Sequence, residues 1–494
     1  MQRTTEHGTA GEHTSSDAAV ARARPDDATP NDSATPDDAK PDDGTLDDTL
    51  ARIEALVAKP VATAGELEAN LTRIYREFFL ADFAAFNPAK LTAVAAATMQ
   101  RLLQVRLALR SGIAGWAARG WMTRPVQRGL RDVFRVTRYA SEMLGEAAIG
   151  HGRLGFGEAP RRVFTGTDRN TLVNPAFATG TDLPFQSGDV ILVRGQAHNS
   201  AAIARIGDVD SQFSHVGIVH VDADGRPWMV EALIEDGSVV SPLETALDHN
   251  IGRAVLFRHC DPALAAAAAS AIRAHVTRAD RPRILYDFGM TIDGYEWLYC
   301  SKLVRLAFIK ASNGREVLPA YTTQLDMQNR DFLNRVGVKA TETFAPADLE
   351  IDPRFEIVAE WADYRITSGL RSQDLIMTML FDAMETHGYR FREDWTIKLI
   401  AILGRLSGRM FESVKLLLAD VLPRIPVNMR RKTIAVIAML HHTAEPILEK
   451  LTERERAELE CTWRPMHPRH VLAFLDEHRK ASGGRLGYLV APKR

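Results

Sequence analysis

The chain has 494 residues, 46% of them hydrophobic and 25% charged, with only three cysteines. That is too long for one ordinary core and the wrong composition for a disordered, collagen-like or disulfide-scaffold protein. The net charge of −2 is a sum of unlike parts: residues 1–50 hold four basic and twelve acidic side chains, so an acidic segment of −8 is joined to a body of +6.

The N-terminus, MQRTTEHGTAGEHTSSD, has no apolar h-region, and no run of eighteen uncharged apolar residues follows anywhere. Neither a signal peptide nor a spanning helix is therefore expected, and a cytoplasmic location is the default. Secretion as an effector, by a machine that reads no apolar signal, is kept as an alternative. Cys260, Cys300 and Cys461 form no CxxC pair, so no disulfide framework, no metal and no other cofactor is expected.

Residues 25–49 loosely repeat Pro, Asp, Asp and a small residue, which buries nothing and repels itself, so 1–45 reads as a disordered acidic tail. Apolar periods of 3.6 in LDDTLARIEALVA, ELEANLTRIYREFFLADFAAF, AKLTAVAAATMQRLLQVRLALRSGIAGW and RPVQRGLRDVFRVTRYASEML predict about four helices over 46–150. Residues 151–188 are rich in Gly, Pro, Thr and Asn and read as a long connection. The period then changes. GDVILVRG, FSHVGIVHV, RPWMVEAL and RAVLFRH are short β-branched runs, expected as half-buried antiparallel strands, with one more at RFEIVAEW. Helices are expected at 262–279 and from Cys300 onward, and the helical period returns after about 367. In 397–422 it carries enough charge for core packing or an interfacial helix and too much for a spanning one. The expected fold class is α+β: a catalytic domain over 183–365 between a helical region at 46–150 and another at 366–494.

Within the strand-bearing unit three residues suit nucleophilic catalysis. Cys300 opens an apolar helix, where free N–H groups and the positive end of the dipole favour thiolate and can serve as an oxyanion hole. His215 lies early on one strand and Glu231 on the next, joined through a tight DADG connection. If Asp222 pairs with Arg226, His215 faces Leu233 and Glu231 is its diagonal neighbour on the same face. An imidazole so placed takes the thiol proton and later protonates the leaving group, while the carboxylate fixes its orientation. Gly217, on the same face, is expected to leave room for a substrate or an approaching helix.

These residues and their surroundings resemble a known family. The run GDVILVRG, NSAAIARIG, FSHVGIV, MVEAL, YDFGM and YCSKLV is similar to the circularly permuted papain-like (NlpC-type) cysteine hydrolases of the YiiX/YaeF/YebB group, relatives of the lecithin retinol acyltransferase-like enzymes. The order His215, Glu231, Cys300 agrees with that permutation. The resemblance covers about 185–365 and implies a small antiparallel sheet or barrel plus a Cys-bearing helix. It makes Cys300 the nucleophile, His215 the base and Glu231 the orienting member. By the same analogy Asp189, Tyr286, Asp287, Tyr299 and Ser301 lie at the substrate pocket, while Lys302 stands where many relatives have Glu.

The implied activity is hydrolysis of an amide or ester, in a lipid or peptide-like small molecule, through an acyl-enzyme. An acyltransferase with the same triad and a non-catalytic module keeping the fold are the alternatives. Outside this unit, Arg124, Arg128, Arg131, Arg135 and Arg138 fall on one helix stripe, which is read as either a solvated face, a peripheral contact with an anionic membrane or a dock for the acidic tail. No nucleic-acid partner is expected, because no groove-reading motif accompanies the arginines. His441, His442 and Glu445 fall at helical spacing, but without a third ligand motif nearby they read as surface chemistry.

Overall fold

The computed structural model describes residues 46–81, 86, 88–150, 171–178, 183–247, 251–280, 282–325, 327–407 and 425–493. The expected acidic tail, much of the connection after 150 and the second half of the 397–422 stretch lie outside these residues.

Four helices open the described chain: α1 (Leu46–Ala58), α2 (Ala64–Leu80), α3 (Pro88–Ala118) and α4 (Arg124–Gly150). The start of α2 is set by a reciprocal cap, in which Thr63 Oγ1 accepts from Glu66 N and Glu66 Oε2 accepts from Ala62 N. The middle of the chain follows as β1 (Thr171–Val173), β2 (Val190–Gly195), α5 (His198–Ile203), β3 (His215–Val221), β4 (Pro227–Leu233), β5 (Gly237–Pro242), α6 (Leu243–Leu247), β6 (Ile251–His259), α7 (Pro262–Val276), α8 (Cys300–Ser312), β7 (Thr323–Gln324), α9 (Asp331–Val336), β8 (Glu342–Thr343) and β9 (Phe355–Ala362). Four long helices close it: α10 (Thr367–His387), α11 (Trp395–Ser407), α12 (Arg431–Thr462) and α13 (Pro468–Ala481). Among the described residues no helix is long and apolar enough to cross a membrane.

Seven strands form one antiparallel sheet in the order β1-β9-β6-β2-β3-β4-β5. One face, with Leu192, Val216, Ile218, Val230 and Val255, packs on Ala268 and Ile272 of α7 and Leu303 and Ala307 of α8. The other face, with Ile191, Val219, Met229 and Leu256, meets Leu243 and Leu247 of α6. Because both faces are covered, Val190–Val193 are all buried, and β2 is a fully buried strand rather than the half-buried one its flanks suggest. Gly188 precedes it at φ +96, and a Cβ there would lie 2.4 Å from the backbone of Ala265. Only glycine allows α7 to come this close.

The arginine stripe of α4 does not form the expected surface. Arg131 is buried against Asp348 (2.6 Å), and Arg138 is buried against Glu350 (2.5 Å) and Glu360 (3.0 Å). Arg135 bonds Asp132 and Asp210, and Arg124 reaches Asp208, so of the five only Arg124 and Arg128 are exposed. The physical reason is that the acids facing Arg131 and Arg138 come from β9 and from the 3₁₀ turn Pro346–Ile351, where a helical wheel of α4 cannot show them. An anionic-membrane or tail-docking face built from all five arginines is therefore corrected: Arg131, Arg135 and Arg138 turn inward into ion pairs, and only Arg124 and Arg128 are exposed.

Further buried pairs join the N-terminal helices to the sheet, Arg106–Glu360 and Arg253–Glu142, and the two helical regions to each other, Arg371–Glu146. At the centre, Asp374 of α10 receives Arg194 (2.9 Å) and Arg205 (3.3 Å), with Arg253 at 3.6 Å. Burial alone would raise its pKa, but Arg205, Arg194 and Arg253 outweigh burial and hold the carboxyl at about 2. The folded pKa lies below the unfolded value of about 3.9, so this stabilisation is complete above that value and lost as pH falls through 2. Asp374→Asn is expected to destabilise the protein by about 3–5 kcal/mol at neutral pH, since it leaves buried guanidinium charge uncompensated. Urea unfolding checks this; a change below about 1 kcal/mol would show that the cluster is not a joint.

Candidate active site

β3 and β4 are joined by the Asp222–Arg226 turn, in which Asp222 Oδ1 accepts from the N–H groups of Asp224 and Arg226. The pairing Ile218↔Val230, Val219↔Met229, His220↔Trp228 is the register expected from the sequence. It places His215 and Glu231 on one face, and His215 Nε2 lies 2.7 Å from Glu231 Oε2. Gly217 is directly opposite Glu231 in this register. A Cβ at Gly217 would lie 2.4 Å from Met229 Sδ and 3.3 Å from Glu231 Cβ. The space it leaves is thus filled by the side chains of Met229 and Glu231, not by a substrate, which corrects the expectation for that residue.

α8 packs on β3 and begins at Cys300. Its N-cap, Tyr299, makes no side-chain cap bond, so no cap consumes the first-turn N–H groups beside the thiol. Nε2 of His215 is committed to Glu231, which leaves Nδ1 for the thiol.

Burial opposes charge on both groups of this pair. It pushes the Cys300 thiol up, but the hydrogen bond and charge of His215, with smaller help from Ser301 and the Val216 N–H, bring it below its usual range. Burial also disfavours the imidazolium, yet Cys300 and Glu231 together raise His215 to about 10. Both shifts run in the direction that favours a thiolate–imidazolium pair, the nucleophilic form of a cysteine.

His215 and Glu231 open on a cavity of about 790 Å³, and Cys300, 5% exposed, is joined to its wall through the imidazole. Apolar side chains of Val193, Ile203, Met229, Leu233 and Ile251 line much of the cavity, along with Tyr286. Burial, with the nearby Cys300 charge adding to it, holds the Tyr286 phenol well above its usual range, so it stays an O–H donor. The segment Gln196–Ser200 supplies another wall. Sequence reasoning missed this wall, whose small and polar residues carry no signal of their own.

Residues 184–359 match the family model of the permuted papain-like amidase enzymes, YaeF/YiiX, C92 family. No curated protein and no solved structure matches the chain. The matched stretch runs from β2 into β9 and includes α8, consistent with a permuted papain-like domain flanked by helical regions.

Within that domain, the residues assigned to the pocket by analogy divide. Tyr286 lines the cavity, as expected. Asp189 is buried against Arg258, with both carboxylate oxygens at 2.8 Å, and accepts from Gln186 N. It anchors the start of β2 and does not line the pocket. Asp287 accepts from Lys302 Nζ at 2.9 Å and from Gly289 N, so the lysine that departs from the family pattern is neutralised locally. The Tyr299 hydroxyl bonds Thr343 Oγ1 and Phe344 N, which ties α8 to the loop after β8. Ser301 is fully buried with Oγ 3.9 Å from Cys300 Sγ, and touches the thiol rather than a substrate. In each of these four cases a protein partner takes the side chain: a distant one for Asp189 and Tyr299, Lys302 for Asp287 and the neighbouring Cys300 for Ser301.

Proposed function

We propose that this protein is a cysteine hydrolase that cleaves an amide or ester with an apolar acyl part. The observation that carries the reading is the His215–Glu231 contact of 2.7 Å beside a thiol of lowered pKa, at the wall of a largely apolar cavity. A lipid or a small peptide-like amide fits such a lining, in which apolar walls hold the acyl part and a few polar groups orient it.

The Cys300 thiolate attacks the carbonyl carbon and a C–S bond forms. The oxyanion is met by the first-turn N–H groups of α8 and by the Tyr286 O–H. His215 gives its proton to the leaving nitrogen or oxygen as that bond breaks. Water, deprotonated by the now neutral imidazole, then attacks the thioester; the C–S bond breaks, releasing the free acid and returning the thiolate and imidazolium.

The test is hydrolysis of model esters and amides across pH. The lowered thiol and the imidazolium at about 10 predict a kcat/KM plateau through neutral pH. Activity falls on the acid side as the thiolate is protonated, and on the alkaline side near pH 10 as the imidazolium is lost. A rate that rises only through the ordinary thiol range of about 8.5 would contradict the ion pair, and no turnover of any acyl ester or amide would contradict the function.

A further inference from the structure

The sequence pair His441 and Glu445 lacks a third ligand, and the fold supplies one from 243 residues earlier in the chain. His198, the first residue of α5, projects onto α12, and a ligand atom from each of His198, His441 and Glu445 lies within 4.8 Å of the other two. His198 Nε2 is 2.6 Å from Glu445 Oε2, and His441 Nδ1 is 4.0 Å from the same oxygen. The His198 and His441 rings are 5.4 Å apart between centroids.

We propose that these three side chains form a binding site for a divalent transition-metal ion of the zinc type. Two imidazoles and one carboxylate are the ligand chemistry of such ions, with an open position for water. Tetrahedral bonds of about 2.0–2.1 Å place ligand atoms about 3.3 Å apart, a value that the separations of 2.6 and 4.0 Å bracket. The adjustment falls on the mobile partners, because the side chains of His441 and Glu445 are 54% and 41% exposed while that of His198 is 4% exposed. Binding replaces the Nε2–H···Oε2 hydrogen bond, and the proton moves to His198 Nδ1. That nitrogen has no hydrogen-bond partner among the described residues, so no existing bond is lost.

The site has a consequence for the cavity. His198 is flanked by Gln196, Ala197, Asn199 and Ser200, which line the cavity beside His215. An ion at this point would pin that wall to the C-terminal helical region.

The experiment is calorimetric titration with Zn²⁺ in a Cys300→Ala background, which removes the catalytic thiol as a competing ligand. His441→Ala, at an exposed position, and Glu445→Gln, at a half-buried one, are added singly, and His442→Ala serves as the control. The expected result is one site weakened at least about tenfold by either ligand substitution and unchanged by His442→Ala. Ions taken up by the acidic N-terminal segment contribute equally to all four proteins and cancel. Co²⁺ should give visible absorption bands in the background protein that His441→Ala removes. Equal Zn²⁺ affinity in the background and His441→Ala proteins, or identical Co²⁺ spectra, would overturn the site. Either outcome leaves the hydrolase reading intact.

Discussion

Replacing Cys300 with alanine is expected to lower kcat by roughly 10⁵- to 10⁶-fold, the loss seen when the nucleophile of a catalytic triad is removed, with folding unaffected. Cys300 is small and 5% exposed, so alanine leaves little cavity and removes only the sulfur. Far-UV circular dichroism and the unfolding midpoint should therefore stay close to wild type while turnover vanishes. Cys260 and Cys461 are exposed and make a built-in control. Neither has an imidazole partner among the described residues, and the Cys260 thiol is raised, chiefly by burial. Substituting either should leave the rate within about twofold. Residual activity in Cys300→Ala within tenfold of wild type would remove Cys300 from the chemistry.

His215→Ala should cost nearly as much as Cys300→Ala, because without the base the thiolate loses its counter-ion and the leaving group its proton. Glu231→Gln should cost less, roughly 10³- to 10⁴-fold. The amide keeps the shape of the carboxylate, but it removes a charge and permits the wrong imidazole tautomer. The double substitution His215→Ala, Glu231→Gln should be no worse than His215→Ala alone, since Glu231 acts through the ring. The pH profile separates this role from mere support of the fold. Glu231 is one of the groups that raise His215 to about 10, so in Glu231→Gln the alkaline limb should move to lower pH. An unmoved limb with reduced kcat would mean that the carboxylate contributes structure only.

The parts of this site legible in the sequence were those set by local rules. The DADG turn set the β3–β4 register, and that register decided which face His215 and Glu231 share. The apolar period after Cys300 placed the thiol at a helix start. The parts not legible depend on partners far along the chain. Arg131 and Arg138 read as a surface stripe because their acids, Asp348 and Glu360, lie 217 and 222 residues away. Asp189 and Asp287 read as pocket residues because Arg258 and Lys302 could not be seen to claim them. β1 has three residues and β5 reads GSVVSP, too short or too polar to stand out from loops, yet both complete the sheet. His198 carried no signal beside a helix it meets only in three dimensions.

The buried ion pairs also bear on how the site is held. Asp374 of α10 and Glu142 of α4 both bond Arg253 of β6, and Arg194, another partner of Asp374, immediately precedes the cavity-wall segment at the end of β2. The two helical regions therefore reach β2 and β6, whose Val193, Gly195 and Ile251 line the cavity, through paired charges as well as apolar contact. Buried ionic clusters of this kind are sensitive to loss of one member, so substitutions far from Cys300 can act on the cavity through this joint.

The central claim is that Cys300 carries the acyl group. The direct measurement is acid quench of the protein with an activated acyl ester, followed by peptide mapping by mass spectrometry. A thioester adduct on the peptide containing Cys300, absent in Cys300→Ala and trapped at higher occupancy when water attack is slowed, is the predicted result. Acylation confined to Cys260, Cys461 or lysine side chains, equal in wild type and Cys300→Ala, would contradict it.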